Sequence, residues 1–359
     1  MDLLTIVLFV AGIGLLVVGA EGLVRGASRL AVSAGISPLV VGLTVVAFGT
    51  SAPELAVSVS SALNDNADIA IGNVVGSNIF NVLFILGASS VVAPLIVSQQ
   101  VVRQEVPIMI GVSVLMLLFA LGETLNRIEG AVLFAGILSY TSWAIIKSRR
   151  ETAEIRSEYE AEFSASDTGP REFARDVAFI LVGLGMLVLG SRWFVDGARE
   201  FAEALGVSEL VIGLTVVAAG TSMPEAATSV MASIRGERDI AVGNVIGSNI
   251  FNILAVLGLT SIVADGGVAV ADAALRFDIP VMLAVAVACL PVFFAGHVIT
   301  RWNGVFFLAF YVAYTVYLIL DANDHGAIEP YSVVMFGFVL PITAVAVVFV
   351  AARHHWRAR

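Results

Sequence analysis

Long uncharged stretches of apolar residues are the feature that most limits how this 359-residue chain can fold. Leu3–Ala20, Ile69–Val97 and Ile279–Ile299 contain no charged residue over 18, 29 and 21 positions, respectively. About 20 consecutive apolar residues form a helix long enough to cross the hydrocarbon core of a bilayer. The strands of a membrane barrel instead alternate apolar and polar residues over about ten positions. The runs therefore predict an all-α polytopic membrane protein.

Eleven segments are candidate membrane spans, and the basic residues predict their orientation. The spans lie near residues 3–22, 36–62, 69–92, 105–122, 129–146, 176–194, 207–233, 240–263, 277–298, 302–320 and 331–352. If the connections alternate between the two sides, 15 of the 19 Lys and Arg residues fall on the side that carries the C-terminus. Basic residues are retained in the cytoplasm. We therefore expect a multi-pass protein of the cell membrane with its N-terminus outside and its C-terminus cytoplasmic.

A duplication organises the chain. Residues 213–225 repeat residues 42–54 at 11 of 13 positions, and residues 241–252 repeat residues 70–81 at ten of 12. Both matches have the same offset, so no gap is needed between them. The matched positions include Pro, Glu, Ser and Asn, which a shared apolar composition would not align. The two segments therefore descend from one duplicated unit.

The duplicated unit contains five predicted spans, so its second copy crosses the membrane in the opposite direction. Inverted repeats of this kind are common in secondary transporters, where the ligand site lies at the repeat interface near the bilayer midplane. The sequence predicts an inverted repeat of two five-helix halves, together a ten-helix body, plus one extra C-terminal transmembrane helix. The predicted units are a first repeat at 1–146, a short cytoplasmic linker at 147–175, a second repeat at 176–322, and the extra helix with a basic tail at 323–359.

Two carboxylates lie at matched positions inside apolar spans, Glu54 and Glu225. An intramembrane carboxylate is costly without partners, and it marks a functional site by default. The spans that carry the repeated motifs contain no Lys or Arg, which argues against a structural ion pair. Gly and Pro flank each glutamate, and these residues release backbone carbonyls from the helical hydrogen-bond ladder. A carboxylate beside free carbonyls favours a site for a hard cation.

Hydroxyl and amide side chains accompany each carboxylate at helical spacing. Thr50 and Ser51 precede Glu54 by four and three positions, which predicts that the three residues lie close to one helix face. All the accompanying side chains supply oxygen, and oxygen ligands suit Na⁺, Ca²⁺ or Mg²⁺ rather than zinc or copper. The remaining candidates are Thr221 and Ser222 in the second repeat, Ser77 with Asn81, and Ser248 with Asn252. We expect Asn73, Asn78, Asn244 and Asn249 to support these residues.

Two copies of one motif are present, Gly-Thr-Ser-x-Pro-Glu followed by Gly-Ser-Asn-Ile-x-Asn. This pattern resembles the paired alpha repeats of the cation/calcium antiporter superfamily, which includes the sodium/calcium exchangers. The resemblance covers the ten-helix body but not the eleventh span, and it implies a shared site for Na⁺ and Ca²⁺ that opens alternately to each side. It implies transported ions and a lipid bilayer as partners, with no cofactor, nucleic acid or protein partner. The ligands that it implies are Glu54, Glu225, Thr50, Thr221, Ser51, Ser222, Ser77, Ser248, Asn81 and Asn252, with the carbonyls of Ala47 and Ala218.

One departure from the family pattern concerns the coupling ions. Some members carry Asp where this chain has Asn252, and potassium-dependent exchangers tend to carry an extra carboxylate. The neutral residue here implies exchange that is independent of K⁺. Two carboxylates carry a charge of −2, which one Ca²⁺ or about two Na⁺ balance, and an empty charged site in a low dielectric is costly. Obligatory exchange is therefore expected.

Other functions remain open at the level of the sequence. The same carboxylates are able to carry protons, which would make the protein an antiporter of Ca²⁺, or another divalent cation, and H⁺. A cation channel would need a continuous pore rather than two broken helices. An intramembrane enzyme would need a nucleophile beside His or paired aspartates, and the four histidines lie far in sequence from the repeats. The single cysteine, Cys289, excludes a thiolate metal cage.

Overall fold

The computed structural model describes residues 3–64, 69–150, 170–205, 212, 215, 218–294, 296–323 and 325–341. Several predicted features lie outside these ranges. They are most of the linker at 147–175, the start of the span at 207–233, the end of the span at 331–352, and the basic tail.

Helices form nearly all of the described structure. In the first half they are α1 (Leu3–Ala34), α2 (Pro38–Thr50), α3 (Ala52–Leu63), α4 (Ile69–Val92), α5 (Val101–Ala120) and α6 (Arg127–Arg150). In the second half they are α7 (Pro170–Ala204), α8 (Ala218–Gly220), α9 (Met223–Arg235), α10 (Arg238–Val263), α11 (Ala274–Phe294), α12 (Arg301–Ala322) and α13 (Ile328–Val334). Within the described ranges, eight helices are long and apolar enough to span a membrane, or nine if the bent pair α2 and α3 counts as one. The described part of the chain is therefore predominantly helical, with the helices of an integral membrane protein.

The span that carries Glu54 is broken, which corrects the prediction of one shared helix face. Helix α2 ends at Thr50, α3 begins at Ala52, and the two axes differ by 43° at Ser51. Pro53, in the first turn of α3, has no N–H to continue the helical ladder across this point. Glu54 thus lies in the first turn of a new helix, where the helix dipole favours a negative side chain. The second half is also interrupted at the matched position, where α8 ends at Gly220 and α9 begins at Met223.

Helices α4 and α10 form the centre of the molecule. The most apolar stretch of α10 is buried along its whole length and that of α4 over 72% of its residues, whereas that of α12 is buried over 6%. Each central helix contains a π-helical segment at a matched position, Asn81–Leu86 in α4 and Asn252–Leu257 in α10. π-helical turns are rare and often occur at functional sites. The predicted asparagine candidates begin these two segments.

Helices α1 and α7 lie in close contact through glycine. A Cβ atom on Gly12 would lie 2.8 Å from the carbonyl oxygen of Gly190, and one on Gly183 would lie 2.7 Å from that of Gly19. Small residues at such points let helix backbones approach one another in a membrane. This pair of helices packs beside α9 and the broken span of the first repeat.

Two short antiparallel ribbons, absent from the sequence prediction, join the two halves. Leu95–Ile96 (β1) pairs with Val298–Ile299 (β4), and Thr124–Leu125 (β2) pairs with Val268–Ala269 (β3). The pairing satisfies backbone groups where the long helices end. A two-residue strand is too short to show the alternating pattern that identifies strands in a sequence.

Candidate cation site

The two glutamates of the repeated motifs are fully buried and are bonded across the repeats. The Ser222 hydroxyl donates to Glu54 Oε1 at 2.9 Å, and the Ser51 hydroxyl donates to Glu225 Oε1 at 3.1 Å. Each serine lies at the helix break of the opposite repeat. Within the described residues, Oε2 of both glutamates has no hydrogen-bond partner and neither glutamate forms an ion pair. Each carboxyl group therefore keeps one oxygen that is free to bind a cation.

An asparagine of the following helix supports each glutamate from the backbone side. Asn244 Nδ2 donates to the Glu225 carbonyl oxygen at 3.3 Å and to Ser229 Oγ at 2.9 Å. These bonds tie the first turn of α9 to α10, so the backbone that carries the glutamate is held in place. The matched bonds of the first repeat, at the same distances, run from Asn73 Nδ2 to the Glu54 carbonyl oxygen and Ser58 Oγ.

The two threonines bond to these asparagines across the repeats. Thr50 Oγ1 lies 3.1 Å from Asn244 Oδ1, and Thr221 Oγ1 lies 3.4 Å from Asn73 Oδ1. Thr50 is buried and Thr221 is half-buried. The structure thus brings both threonines to the same interface as the glutamates.

Four asparagines of α4 and α10 form a second set of cross-repeat bonds. Asn81 Nδ2 donates to Asn249 Oδ1 at 2.9 Å, and Asn252 Nδ2 donates to Asn78 Oδ1 at 3.0 Å. Asn78 and Asn249 each donate their own Nδ2 to the other's carbonyl oxygen, at 3.3 and 3.4 Å. Because every amide nitrogen is used in this way, the orientation of the amides is determined. Oδ1 of Asn81 and of Asn252 is left without a partner in the described part of the chain.

The two serines of the second motif are both buried. Ser77 Oγ lies 3.0 Å from Ser222 Oγ and so joins the group around Glu54. Ser248 Oγ is buried without a partner among the described residues. Each serine lies one helical turn before the asparagine of its motif, Asn81 or Asn252.

The predicted carbonyl of Ala47 is already engaged. It accepts from Ser51 N at 3.0 Å and from Thr50 Oγ1 at 3.3 Å. Its counterpart Ala218 is the first residue of α8. An ion bound by the Ala47 carbonyl would have to replace the Thr50 hydroxyl bond.

The break between α8 and α9 releases the backbone carbonyl of Gly220 from the helical hydrogen bonds, whereas the predicted carbonyl was that of Ala218. Pro224 lacks the N–H that would bond the carbonyl of Gly220 four residues earlier. Ser191 of α7 supplies the missing donor, with its Oγ 2.6 Å from the Gly220 oxygen. Sequence reasoning had no means of identifying this bond, because Ser191 lies in another helix and has Ala20 as its counterpart in the first repeat.

Unpartnered oxygens are concentrated among the predicted ligands. Of twelve buried side-chain polar atoms without a hydrogen-bond partner in the described ranges, five belong to the predicted set: Glu54 Oε2, Glu225 Oε2, Asn81 Oδ1, Asn252 Oδ1 and Ser248 Oγ. Buried polar atoms are normally bonded, and an unpaired buried charge is costly. Four of the five are acceptors only, as a cation requires. In the described part, no three His, Cys, Asp or Glu residues are placed so that they could hold a metal ion together, so neutral oxygens would have to complete any cation shell.

Two further buried serines and two methionines belong to this interface, and the sequence analysis did not identify them as candidates. Ser58 and Ser229 accept from the supporting asparagines, and the register of the repeat, which carries Ser58 onto Ser229, was an available signal. Met282 Sδ lies 3.5 Å from Asn78 Nδ2, and Met109 Sδ lies 3.5 Å from Asn249 Nδ2. The gapless register aligns Met109 with Pro280 rather than with Met282, so the repeat gave no signal for the two methionines.

Two further carboxylates, at the fifth position of α5 and of α11, were also missed, because the gapless register does not align them. Glu105 accepts from the Tyr140 hydroxyl at 2.8 Å and from Gln100 Nε2 at 2.9 Å. Asp278 accepts from the Tyr314 hydroxyl at 2.8 Å. Each tyrosine bond joins one helix to the next along the chain. Since these carboxylates have hydroxyl partners within their own half, they hold neighbouring helices together rather than meet across the repeats.

Comparison with known proteins identifies the family to which this chain is similar. The profile of the family described as "Sodium/calcium exchanger protein" matches residues 4–146 and 176–320. The sodium/calcium exchanger MaX1 of Methanosarcina acetivorans is 33% identical over 338 residues, covering 86% of this chain and 96% of MaX1. The inner membrane protein YrbG of Escherichia coli (strain K12) is 40% identical over 274 residues, covering 74% of this chain and 81% of YrbG.

A solved structure of the sodium-calcium exchanger NCX_Mj, soaked with 10 mM Na⁺ and zero Ca²⁺, has a similar fold. The TM-score is 0.74 at 29% sequence identity, with 87% of this chain and 98% of NCX_Mj covered. The family is one of transporters rather than enzymes, and its members exchange Na⁺ and Ca²⁺ without an implied cofactor. The chain belongs to the sodium/calcium exchanger protein family and is a membrane antiporter of the cation/Ca²⁺ class.

Proposed function

We propose that this protein exchanges Na⁺ for Ca²⁺ across the cell membrane by alternating access. The observation that carries the proposal is the set of buried, unpartnered oxygens on Glu54, Glu225, Asn81 and Asn252, which occur as two pairs related by the repeat. The proposed ligands are Glu54, Glu225, Thr50, Thr221, Ser51, Ser222, Ser77, Ser248, Asn81 and Asn252, with the carbonyls of Ala47 and Ala218.

The composition of the site supports Ca²⁺ and Na⁺ as the cargo. The two glutamates supply a charge of −2 and the other residues supply neutral oxygens. Ca²⁺ takes six to eight oxygen ligands in flexible geometry, whereas Mg²⁺ requires near-ideal octahedral geometry and keeps several waters. Ligands spread over six helices and two repeats suit the larger, more tolerant ion. The neutral Asn81 and Asn252 add no third charge, which favours exchange without K⁺.

We further infer the ten-helix inverted repeat with an extra C-terminal helix, and the division at 1–146, 147–175, 176–322 and 323–359. Hydrogen bonds that recur at matched positions of the two repeats support the inverted repeat, since Ser222 bonds Glu54 as Ser51 bonds Glu225. The distribution of Lys and Arg supports an external N-terminus and a cytoplasmic C-terminus. Alternating access then amounts to two related halves moving around a central site.

Flux measurements on purified protein in vesicles test the coupling ion. Vesicles loaded with Na⁺ are diluted into Na⁺-free, K⁺-free medium that contains Ca²⁺, with and without a pH gradient. We expect Ca²⁺ uptake that requires internal Na⁺ and persists when the pH gradient is collapsed. If a pH gradient alone drives Ca²⁺ uptake and Na⁺ neither drives it nor competes with it, the protein is a Ca²⁺/H⁺ antiporter.

A further inference from the structure

A lateral groove lies between α2 and α7, outside the candidate cation site. It has a volume of about 610 Å³. Its walls are apolar, with Val45, Phe48 and Gly49 on one side and Leu184, Gly185 and Leu189 on the other, and Arg192 lies in its lining. From Ile180 to Arg192 the lining follows α7 for 12 residues, which at 1.5 Å per residue is about 18 Å.

The groove opens sideways from the helix bundle. Phe48 is 56% exposed and Leu181 is 63% exposed, so apolar side chains at this face have no protein cover in the described part of the chain. In a protein with eight membrane-length helices, an apolar face of this kind meets lipid. The dimensions and lining of the groove suit an acyl chain.

Arg192 gives the groove a specific charge. Its side chain is exposed and forms no ion pair with any described residue. The register of the repeat carries Glu21 of the first half onto Arg192, and Glu21 pairs with Arg25 and Arg235. The matched position of the second half therefore carries the opposite charge, and its arginine, Arg192, is unpaired among the described residues. Arg192 begins the charged end of α7, which continues with Asp196 and Arg199. An arginine near a helix end extends its charge toward the lipid headgroups, and the planar guanidinium suits a phosphate.

We propose that the groove binds an anionic phospholipid, with an acyl chain between α2 and α7 and its phosphate on Arg192. The occupied groove borders Phe48 and Gly49, directly before the helix break at Thr50 and Ser51. A lipid in this position stabilises the arrangement of the break seen here, since a ligand stabilises the state that it prefers. The proposal does not depend on which ions the protein exchanges.

Binding of defined lipids to the purified full chain in detergent tests the proposal. Phosphatidylglycerol and phosphatidylcholine with identical acyl chains are compared by native mass spectrometry and by the shift in Tm. We expect phosphatidylglycerol to bind at least about tenfold more tightly and to raise Tm further. Both lipids carry a phosphate, but the choline cation of phosphatidylcholine cancels the charge of its phosphate and repels Arg192, which weakens the charge-assisted contact.

Two variants separate the headgroup from the acyl chain. Arg192→Gln should abolish the preference for phosphatidylglycerol, whereas Arg276→Gln, at an exposed arginine of α11, should retain it. Gly185→Phe should weaken binding of both lipids, because a Cβ at Gly185 meets open space and the ring would fill the groove. Gly111→Phe is the matched control, since a Cβ there also meets open space but lies in α5, outside the groove.

Three results would overturn the proposal. One is equal affinity of the parent protein for the two lipids. Another is an unchanged preference in Arg192→Gln. The third is unchanged lipid binding in Gly185→Phe, which would place the bound lipid elsewhere on the surface.

Discussion

Ser222 of the second repeat donates its hydroxyl hydrogen to Oε1 of Glu54 in the first repeat, over 2.9 Å. The bond crosses 168 residues of sequence and joins the helix break of one repeat to the carboxylate of the other. It occupies one oxygen of the carboxylate and leaves Oε2 free. Neither repeat alone would therefore complete the candidate site. Movement of one broken span relative to the other would alter the surroundings of both glutamates together.

Neutralising either central carboxylate should abolish Ca²⁺ transport. Glu54→Gln and Glu225→Gln keep the size of the side chain but remove half of the charge of the site, and Oε2 no longer carries an anionic charge. We expect Ca²⁺ uptake into vesicles at background level, with the protein still inserted and monodisperse. Glu203→Gln, which breaks an exposed pair with Arg199, should transport normally. Near-normal uptake by either central variant would show that the site lies elsewhere.

Asn252→Asp tests whether the second-repeat asparagine faces the ion. Two unit charges 4 Å apart interact by about 4 kcal/mol at an effective dielectric near 20, so the added charge attracts divalent Ca²⁺ by about 8 kcal/mol, reduced by repulsion among three carboxylates. The structure adds a cost, because Asn252 Nδ2 donates to Asn78 Oδ1 at 3.0 Å and an ionised Asp has no hydrogen to donate. We expect tighter Ca²⁺ binding above neutral pH, a loss of that gain as protonation restores the donor, and slower turnover.

Equilibrium dialysis across pH and vesicle flux would measure the two effects of Asn252→Asp. Asn78→Asp is the matched control, because it adds the same charge at the other end of that hydrogen bond. If Asn252→Asp has the same affinity and the same pH dependence as the parent protein, Asn252 does not contact the ion and the ligands proposed for the second repeat are wrong.

Cysteine labelling should establish the orientation of the termini. Cys289 is the single cysteine and is fully buried, so it should resist membrane-impermeant reagents applied from either side. After its removal, a cysteine at Asp265 should label from outside and one at Arg149 from inside, both positions being exposed. Positions 65, 157 and 324 offer the same test in segments outside the described residues. The reverse pattern at Asp265 and Arg149 would invert the orientation.

Removing the charge of Glu21 should destabilise the protein. Arg235 of α9 forms a two-pronged ion pair with Glu21 of α1, and Arg25 contacts the same carboxylate at 2.5 Å. Glu21→Gln leaves both arginines without their anionic partner, at a cost of about 1 kcal/mol, the upper end for exposed pairs. Tm measurements on Glu21→Gln, Arg235→Gln and the double variant form a cycle. Additive losses would show that the pair does not contribute to stability.

The glycine contact between α1 and α7 should be intolerant of side chains. A Cβ on Gly183 would lie 2.7 Å from the carbonyl oxygen of Gly19, so Gly183→Val should force the two helices apart and lower both Tm and transport rate. Gly14→Val is the matched control on α1, because a Cβ there meets nothing within 4 Å. Equal behaviour of the two variants would mean that the close approach of α1 and α7 is dispensable.

The sequence by itself determined the class of fold, the duplication and the two carboxylates. Uncharged runs such as Ile69–Val97 identify membrane helices because a bilayer excludes charge over a fixed length. The gapless register of the repeat carries Glu54 onto Glu225, and the absence of Lys and Arg from those spans marks both as functional candidates. These conclusions need only local composition and the comparison of the chain with itself.

The tertiary structure alone decided how the candidates meet. Ser222 bonds Glu54, and Asn252 bonds Asn78, across 168 and 174 residues, and no local periodicity encodes pairings at that distance. The break at Ser51 likewise replaced one helix face by two helix ends, because Pro53 removes a ladder hydrogen bond without specifying the direction of the bend. The direction of the bend, the partner of each candidate side chain and the oxygen that it leaves free depend on contacts between the two repeats, which only the folded chain brings together.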